Sequence, residues 1–187
     1  SYSELKSKKE PSEGFTERIT VFGEQEPGHE LSQALEAGLA EYAGIRLARD
    51  LGNGPSNLVT PEYMAQTARD LAERYGYSIE VLTPEEISEK GMGAFEAVFR
   101  GSAHPARLVV LDSDPDSTIS EPPLLYVGKG VTFDTGGISI KPSANMEKMK
   151  GDMGGAAAVL GFFKTLGELK SLRTQRRIVG VIPLTDN

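Results

Sequence analysis

Leu124-Leu125-Tyr126-Val127-Gly128-Lys129-Gly130-Val131-Thr132-Phe133-Asp134-Thr135-Gly136-Gly137-Ile138-Ser139-Ile140-Lys141 is an apolar run followed by a charged, glycine-rich turn. Leu124 to Val127 reads as a buried strand. Glycines at 128, 130, 136 and 137 let the backbone turn and let another group approach closely. Lys129, Asp134 and Lys141 are set in that frame, and a second acidic site follows in Lys150-Gly151-Asp152-Met153-Gly154-Gly155. Open α/β folds bind ligands at the C-terminal ends of their strands, so the segment reads as a site.

The flanking chain alternates helices and strands. Leu31, Leu35, Leu39 and Tyr42 have helical spacing, which predicts a helix over 30–51 that stops at Gly52-Asn53-Gly54-Pro55. Thr60 as N-cap, Pro61 at the first helical position, Glu62 in the first turn and Gly76 as stop predict a second helix. Its apolar face is Met64, Ala68, Leu71, Ala72 and Tyr75. Ser78 to Leu82 reads as a strand, Pro84 to Gly91 as a short helix, and Gly91 to Arg100 as a helix or loop. Arg107 to Leu111 and Arg177 to Leu184 read as further strands, with a long helix from Asp152 to about Leu169. Residues 1–28 read as a linker or the tail of a preceding domain, with one β-like run from Ile19 to Phe22. The alternation predicts an α/β fold whose largely parallel or mixed sheet is buried and flanked by helices.

Composition narrows the function classes. The 187 residues are 39% hydrophobic and 25% charged, an ordinary globular balance. No apolar run approaches the roughly 20 residues that cross a bilayer. A net charge of −7 disfavours a nucleic-acid footprint, and Arg173, Arg176 and Arg177 are too few to reverse it. Zero cysteines exclude disulfides and thiolate metal sites and suit a reducing cytoplasm. With only two histidines, His29 and His104, any metal falls to carboxylates and unusual nitrogen donors.

Each site residue has a plainer reading. Asp134 beside glycines fits an Asx turn that caps its own backbone. Asp152 before a helical apolar face fits an N-cap. Lys129 and Lys141 singly fit solvated surface charges. No G-x-x-x-x-G-K-[ST] pattern supports phosphate cradling. Jointly they fit cation chemistry: carboxylates from two elements share a divalent ion, and a lysine amine joins once the metal's field removes its proton. A second, charged lysine polarises a carbonyl or stabilises an oxyanion.

Gly128 to Gly155, GKGVTFDTGGISIKPSANMEKMKGDMGG, resembles the metal-binding segment of the leucine aminopeptidase (cytosol aminopeptidase) family. Ala48 to Pro61 resembles the start of that family's catalytic domain, and Gly91-Met92-Gly93-Ala94 another of its segments, so the likeness runs from about residue 45 to 187. Thr135 stands where many members carry Ser. The resemblance implies a two-metal exopeptidase, usually hexameric, using Zn²⁺ or Mn²⁺ on peptides with a free N-terminus. It implies metal-ligand roles for Lys129, Asp134 and Asp152, with Asp134 bridging, and a catalytic role for Lys141 on the substrate carbonyl. Met149 falls on the pocket for the N-terminal side chain. One ion anchors the α-amine, and a metal-bound hydroxide attacks the scissile carbonyl.

The family's further hallmark, Asn-Thr-Asp-Ala-Glu-Gly-Arg, is absent from the 187 residues. It carries the remaining carboxylate ligands and the arginine associated with a bicarbonate base. The expectation is therefore part of an aminopeptidase, inactive by itself: a connecting helix over 29–53 and a partial catalytic domain over 54–187. An aspartic protease, suggested by Asp134-Thr135-Gly136, needs a second Asp-Thr-Gly loop or a symmetric partner. A non-catalytic binding or oligomerisation module with a degenerate metal site is the other reading. Some family members bind DNA, which the acidic balance here does not favour.

Overall fold

The computed structural model describes Arg18, Thr20, residues 28–169 and residues 176–187, and the chain divides into two units, Ser1–Gln33 and Ala34–Asn187. Apart from Thr20, the run Ile19 to Phe22 lies outside the described residues, as does Arg173. The elements are α1 (His29–Asn53), α2 (Pro61–Tyr75), β1 (Ser78–Leu82), α3 (Pro84–Glu89) and α4 (Gly93–Phe99). They continue with β2 (Arg107–Asp112), β3 (Leu124–Val127), β4 (Gly130–Val131), α5 (Gly154–Glu168) and β5 (Ile178–Thr185).

Local chemistry sets the helix ends. The Thr60 hydroxyl accepts from the Tyr63 N–H at 3.2 Å, and Gly76 closes α2 at φ 70°, donating its N–H to Ala72 O. Thr83 and Glu86 form a reciprocal capping box at the start of α3. Between Gly91 and Arg100 the chain is helical, as α4.

The strands form one sheet in the order β1-β2-β5-β3, with β4 also paired to β5. β5 is its spine. It runs antiparallel to β2, with Val109 opposite Ile182, and parallel to β3 and β4, with Val127 opposite Val181 and Gly130 opposite Leu184. Strand side chains alternate faces. Ile178, Ile182 and Leu184 accordingly join Val109 and Leu111 against α2 and α5, where Met64, Ala68, Leu160 and Phe163 are buried. Val181 turns to the opposite face and meets Leu82, Ile87, Leu108, Phe95 and Phe99 beneath α3 and α4.

The sheet is mixed, with both β1–β2 and β2–β5 antiparallel. The chain leaves β1 at Leu82 and enters β2 beside it, since Leu82 pairs with Leu108. The two short helices between them thus return it to the end it left, where a parallel crossover needs an element spanning the sheet. The mixed sheet is as expected, but the reading of Leu124 to Val127 as a buried strand needs correcting: β3 is exposed, with Leu125 at 61% and Val127 at 66%. Among the described residues it is an edge strand, paired on one side; α5 covers part of it, with Tyr126 and Phe162 rings 4.8 Å apart.

Between β3 and β4 the ladder breaks at Gly128-Lys129, and Pro183 explains the break. The carbonyls of Val181 and Thr185 accept from Gly128 and Thr132, so alternate residues of β5, Pro183 included, face β3 and β4. Proline has no N–H to donate there. The Lys129 carbonyl, on the side of the chain turned away from β5, accepts from the Ala156 N–H at 2.8 Å, joining the strand end to the first turn of α5. That junction leaves no room for side chains. A Cβ on Gly128 would lie 2.6 Å from the Gly155 oxygen, and one on Gly155 would lie 2.9 Å from the Lys129 nitrogen. Because the obstructing atoms are backbone, Gly128→Ala is expected to cost about 1–3 kcal/mol in urea unfolding. Gly151→Ala, where an added Cβ meets nothing within 4 Å, serves as the near-neutral control.

Candidate active site

The α5 junction places the first pair of charges. Lys129 leaves the strand end and Asp152 stands just before α5, with Lys129 Nζ donating to Asp152 Oδ2 at 2.6 Å. Asp152 is not the helix N-cap; that position is held by Met153, which makes no side-chain cap bond. The preceding residues, Met146–Gly151, wind as a 3₁₀ helix, and the Asp152 N–H donates to Met149 O at 3.2 Å.

The second pair forms in the glycine turn after β4. The Gly136 N–H donates to Asp134 Oδ1 at 2.9 Å, so the expected Asx turn is present. Gly136 and Gly137 have φ of 89° and 72°, values that favour glycine, and they reverse the chain so that Lys141 returns to Asp134. The Lys141 N–H bonds Thr135 O at 2.8 Å, and Lys141 Nζ donates to Asp134 Oδ2 at 2.6 Å. Lys141 Nζ also stands 3.3 Å from Met149 Sδ, which links the turn to the 3₁₀ helix. The structure thus joins Lys129 with Asp152, and Lys141 with both Asp134 and Met149.

Sequence reasoning overlooked Asn187. Its carboxamide donates to Asp134 Oδ1 at 3.2 Å, and its backbone bonds Phe133 and Thr135. Its signal was weak: a polar residue just beyond the end of the central strand.

Asp134 is well shielded, its side chain 17% exposed. The hydrogen bond from Lys141 holds its carboxyl down at about 2, helped by the Gly136 N–H and the Asn187 carboxamide and opposed by burial. In kind, the donors suit a divalent cation: two carboxylates supply hard oxygens, and an amine supplies nitrogen. A lysine ammonium at 2.6 Å from each carboxylate provides positive charge where a cation's would act. In number the set falls short of a pair of ions. Among the described residues, no group of three or more His, Cys, Asp or Glu is placed to hold a metal.

The cytosol aminopeptidase family, catalytic domain, matches residues 46–187. The chain belongs to this family. A probable cytosol aminopeptidase of Oleidesulfovibrio alaskensis is 49% identical over 175 residues, covering 90% of this chain and 34% of the relative. Another, from Syntrophobacter fumaroxidans, is 48% identical over 186 residues, covering 100% and 36% respectively. Among solved structures, the bottromycin maturation enzyme BotP in complex with Mn is similar at TM-score 0.73 and 40% identity, over 86% of this chain and 34% of that one. A tomato leucine aminopeptidase mutant gives TM-score 0.74 and 33% identity, over 86% and 30%. The chain therefore spans about a third of the length of the relatives it matches.

In this cytosol aminopeptidase chain, the depressed Asp134 pKa has a consequence for acid stability. An ordinary aspartate has a pKa near 3.8, and Asp134 sits at about 2 in the folded chain. A folded pKa below the unfolded one stabilises above the unfolded value and is lost as pH falls through the folded one. Asp134 should therefore stabilise the metal-free chain fully above about pH 4 and progressively less down to about pH 2. Urea midpoints measured across that range should fall more steeply for the wild type than for Asp134→Asn.

Proposed function

We propose that the chain is part of a metal-dependent leucyl aminopeptidase, which releases N-terminal residues from peptides in the cytoplasm. The observation that carries this reading is the pair of lysine–carboxylate contacts, Lys129–Asp152 and Lys141–Asp134, within the matched catalytic domain. Lys129, Asp134 and Asp152 are the proposed metal ligands, with Asp134 shared between two ions. Zn²⁺ and Mn²⁺ are the proposed ions, and the similarity to BotP in complex with Mn supports the second. Bound ions would supply positive charge for the substrate's amine and carbonyl and would activate water. The remaining ligands, a bicarbonate base and a homohexameric assembly are proposed for the whole protein.

The chain's own residues account for the rest. Lys141 donates a hydrogen bond to the carbonyl oxygen of the scissile peptide, and the bond strengthens as negative charge gathers there. Before a cation is bound, Asp134 Oδ2 holds that ammonium near the site. Met149, in contact with Lys141 Nζ, offers an adaptable apolar surface for the side chain of the residue being released.

A second reading, a binding or oligomerisation module with a degenerate site, draws on the same geometry. Both carboxylates already have ammonium partners, and Asp134 already caps its own turn. Calorimetric titration with MnCl₂ separates the two. The aminopeptidase reading expects weak binding of one ion, abolished by Asp134→Asn and by Asp152→Asn; no heat from the wild type favours the module. By itself the chain is expected to leave leucine anilide intact, because its donor set is incomplete. In a longer form that is active, Lys141→Ala should lower kcat about 10²–10³-fold with little change in KM.

A further inference from the structure

We propose that Asn187 is a positioning residue for Asp134, fixing which carboxylate oxygen faces the cation. This rests on the metal-ligand role of Asp134 proposed above. Asn187 lies beyond β5, fifty-three positions from Asp134 in sequence, and reaches it because β4 pairs in parallel with the end of β5.

The contacts form a clamp. The Asn187 N–H donates to Phe133 O at 2.9 Å, and its carbonyl accepts from the Thr135 N–H at 2.8 Å. The Thr135 hydroxyl donates to the same carbonyl at 2.8 Å. These bonds hold the residues on either side of Asp134. The carboxamide then supplies Nδ2 to Asp134 Oδ1 at 3.2 Å. Gly137 lies close beside the carboxamide, since a Cβ there would come within 2.9 Å of Asn187 Oδ1.

Counting acceptor sites gives the functional consequence. A carboxylate oxygen offers about two lone-pair directions. Oδ1 spends both, on the Gly136 N–H and on Asn187 Nδ2. Among the described residues, Oδ2 holds only the Lys141 ammonium, whose donor sits on a long, flexible stem. Oδ2 is therefore the oxygen that can exchange its partner for a cation, while Oδ1 stays anchored to the frame. Partners of this kind, behind a metal ligand, change metal affinity about 10–100-fold when removed.

The test uses the full 187-residue chain. MnCl₂ titrated into Asn187→Ala should bind about 10–100-fold more weakly than into the wild type. The urea midpoint of the metal-free variant should stay near that of the wild type, because the backbone clamp remains. Equal Mn²⁺ affinities overturn the proposal while leaving the aminopeptidase reading intact. Weakening matched by an equal loss of metal-free stability also overturns it, since Asn187 would then be only a structural clasp. A wild type that binds no Mn²⁺ removes the metal reading and this proposal together. Should Asn187→Ala fail to fold, NMR of the Asn187 side-chain amide decides. Its protons should be protected from exchange in the metal-free wild type and lose protection in Asp134→Leu; protection unchanged by that substitution overturns the proposal.

Discussion

The hydrogen bond from the Ala156 N–H to the Lys129 carbonyl is the contact on which the site depends. It lies on the side of the chain turned away from β5, the strand to which Gly128 and Thr132 donate. It is short because Gly128 and Gly155 carry no side chains to hold strand and helix apart. With the strand end and the start of α5 in contact, Lys129 and Asp152 meet across twenty-three residues of sequence. A side chain at either glycine would push the two apart, and the ion pair would open with them. Backbone packing is thus the cause of the charge geometry.

β5 organises what lies around that contact. It has antiparallel β2 on one side and parallel β3 and β4 on the other. Its alternating side chains feed both cores, and the residues beyond its end reach the glycine turn. Packing on α2 and α5 and hydrogen bonding to the Asp134 turn are therefore coupled through one rigid element. A polar residue past the end of such a strand is held as firmly as the sheet, which is the placement a site needs.

Features set by neighbouring residues could be read from the sequence. Thr60, Pro61 and Gly76 bound α2 because capping and left-handed termination are local events. The Asx turn at Asp134 and the proximity of Lys141 likewise follow from a short glycine-rich segment. What depended on distant pairing was harder to see. Leu124 to Val127 is apolar enough for a core strand, yet its exposure follows from its place at the sheet edge. Asp152 has an N-cap's composition but lies two residues before α5, where it meets Lys129. Asn187 reaches Asp134 only through the register of β5 with β4, which no local pattern reveals.

The lysine pairing also explains how the proposed cation site can stand assembled before a cation arrives. Carboxylates brought to one end of a sheet repel each other unless opposite charge is near. Here each acid has its own ammonium, Lys129 for Asp152 and Lys141 for Asp134, and the turns carrying them can settle without metal. The two lysines then face different fates. For its nitrogen to become a ligand, Lys129 must give up a proton, so cation binding through it releases one. In the proposed reaction Lys141 keeps its charge and changes only its acceptor, from Asp134 to a substrate oxygen. Both changes exchange one positive partner of a carboxylate for another, and the backbone frame of Gly128, Gly155 and the 133–137 turn need not move.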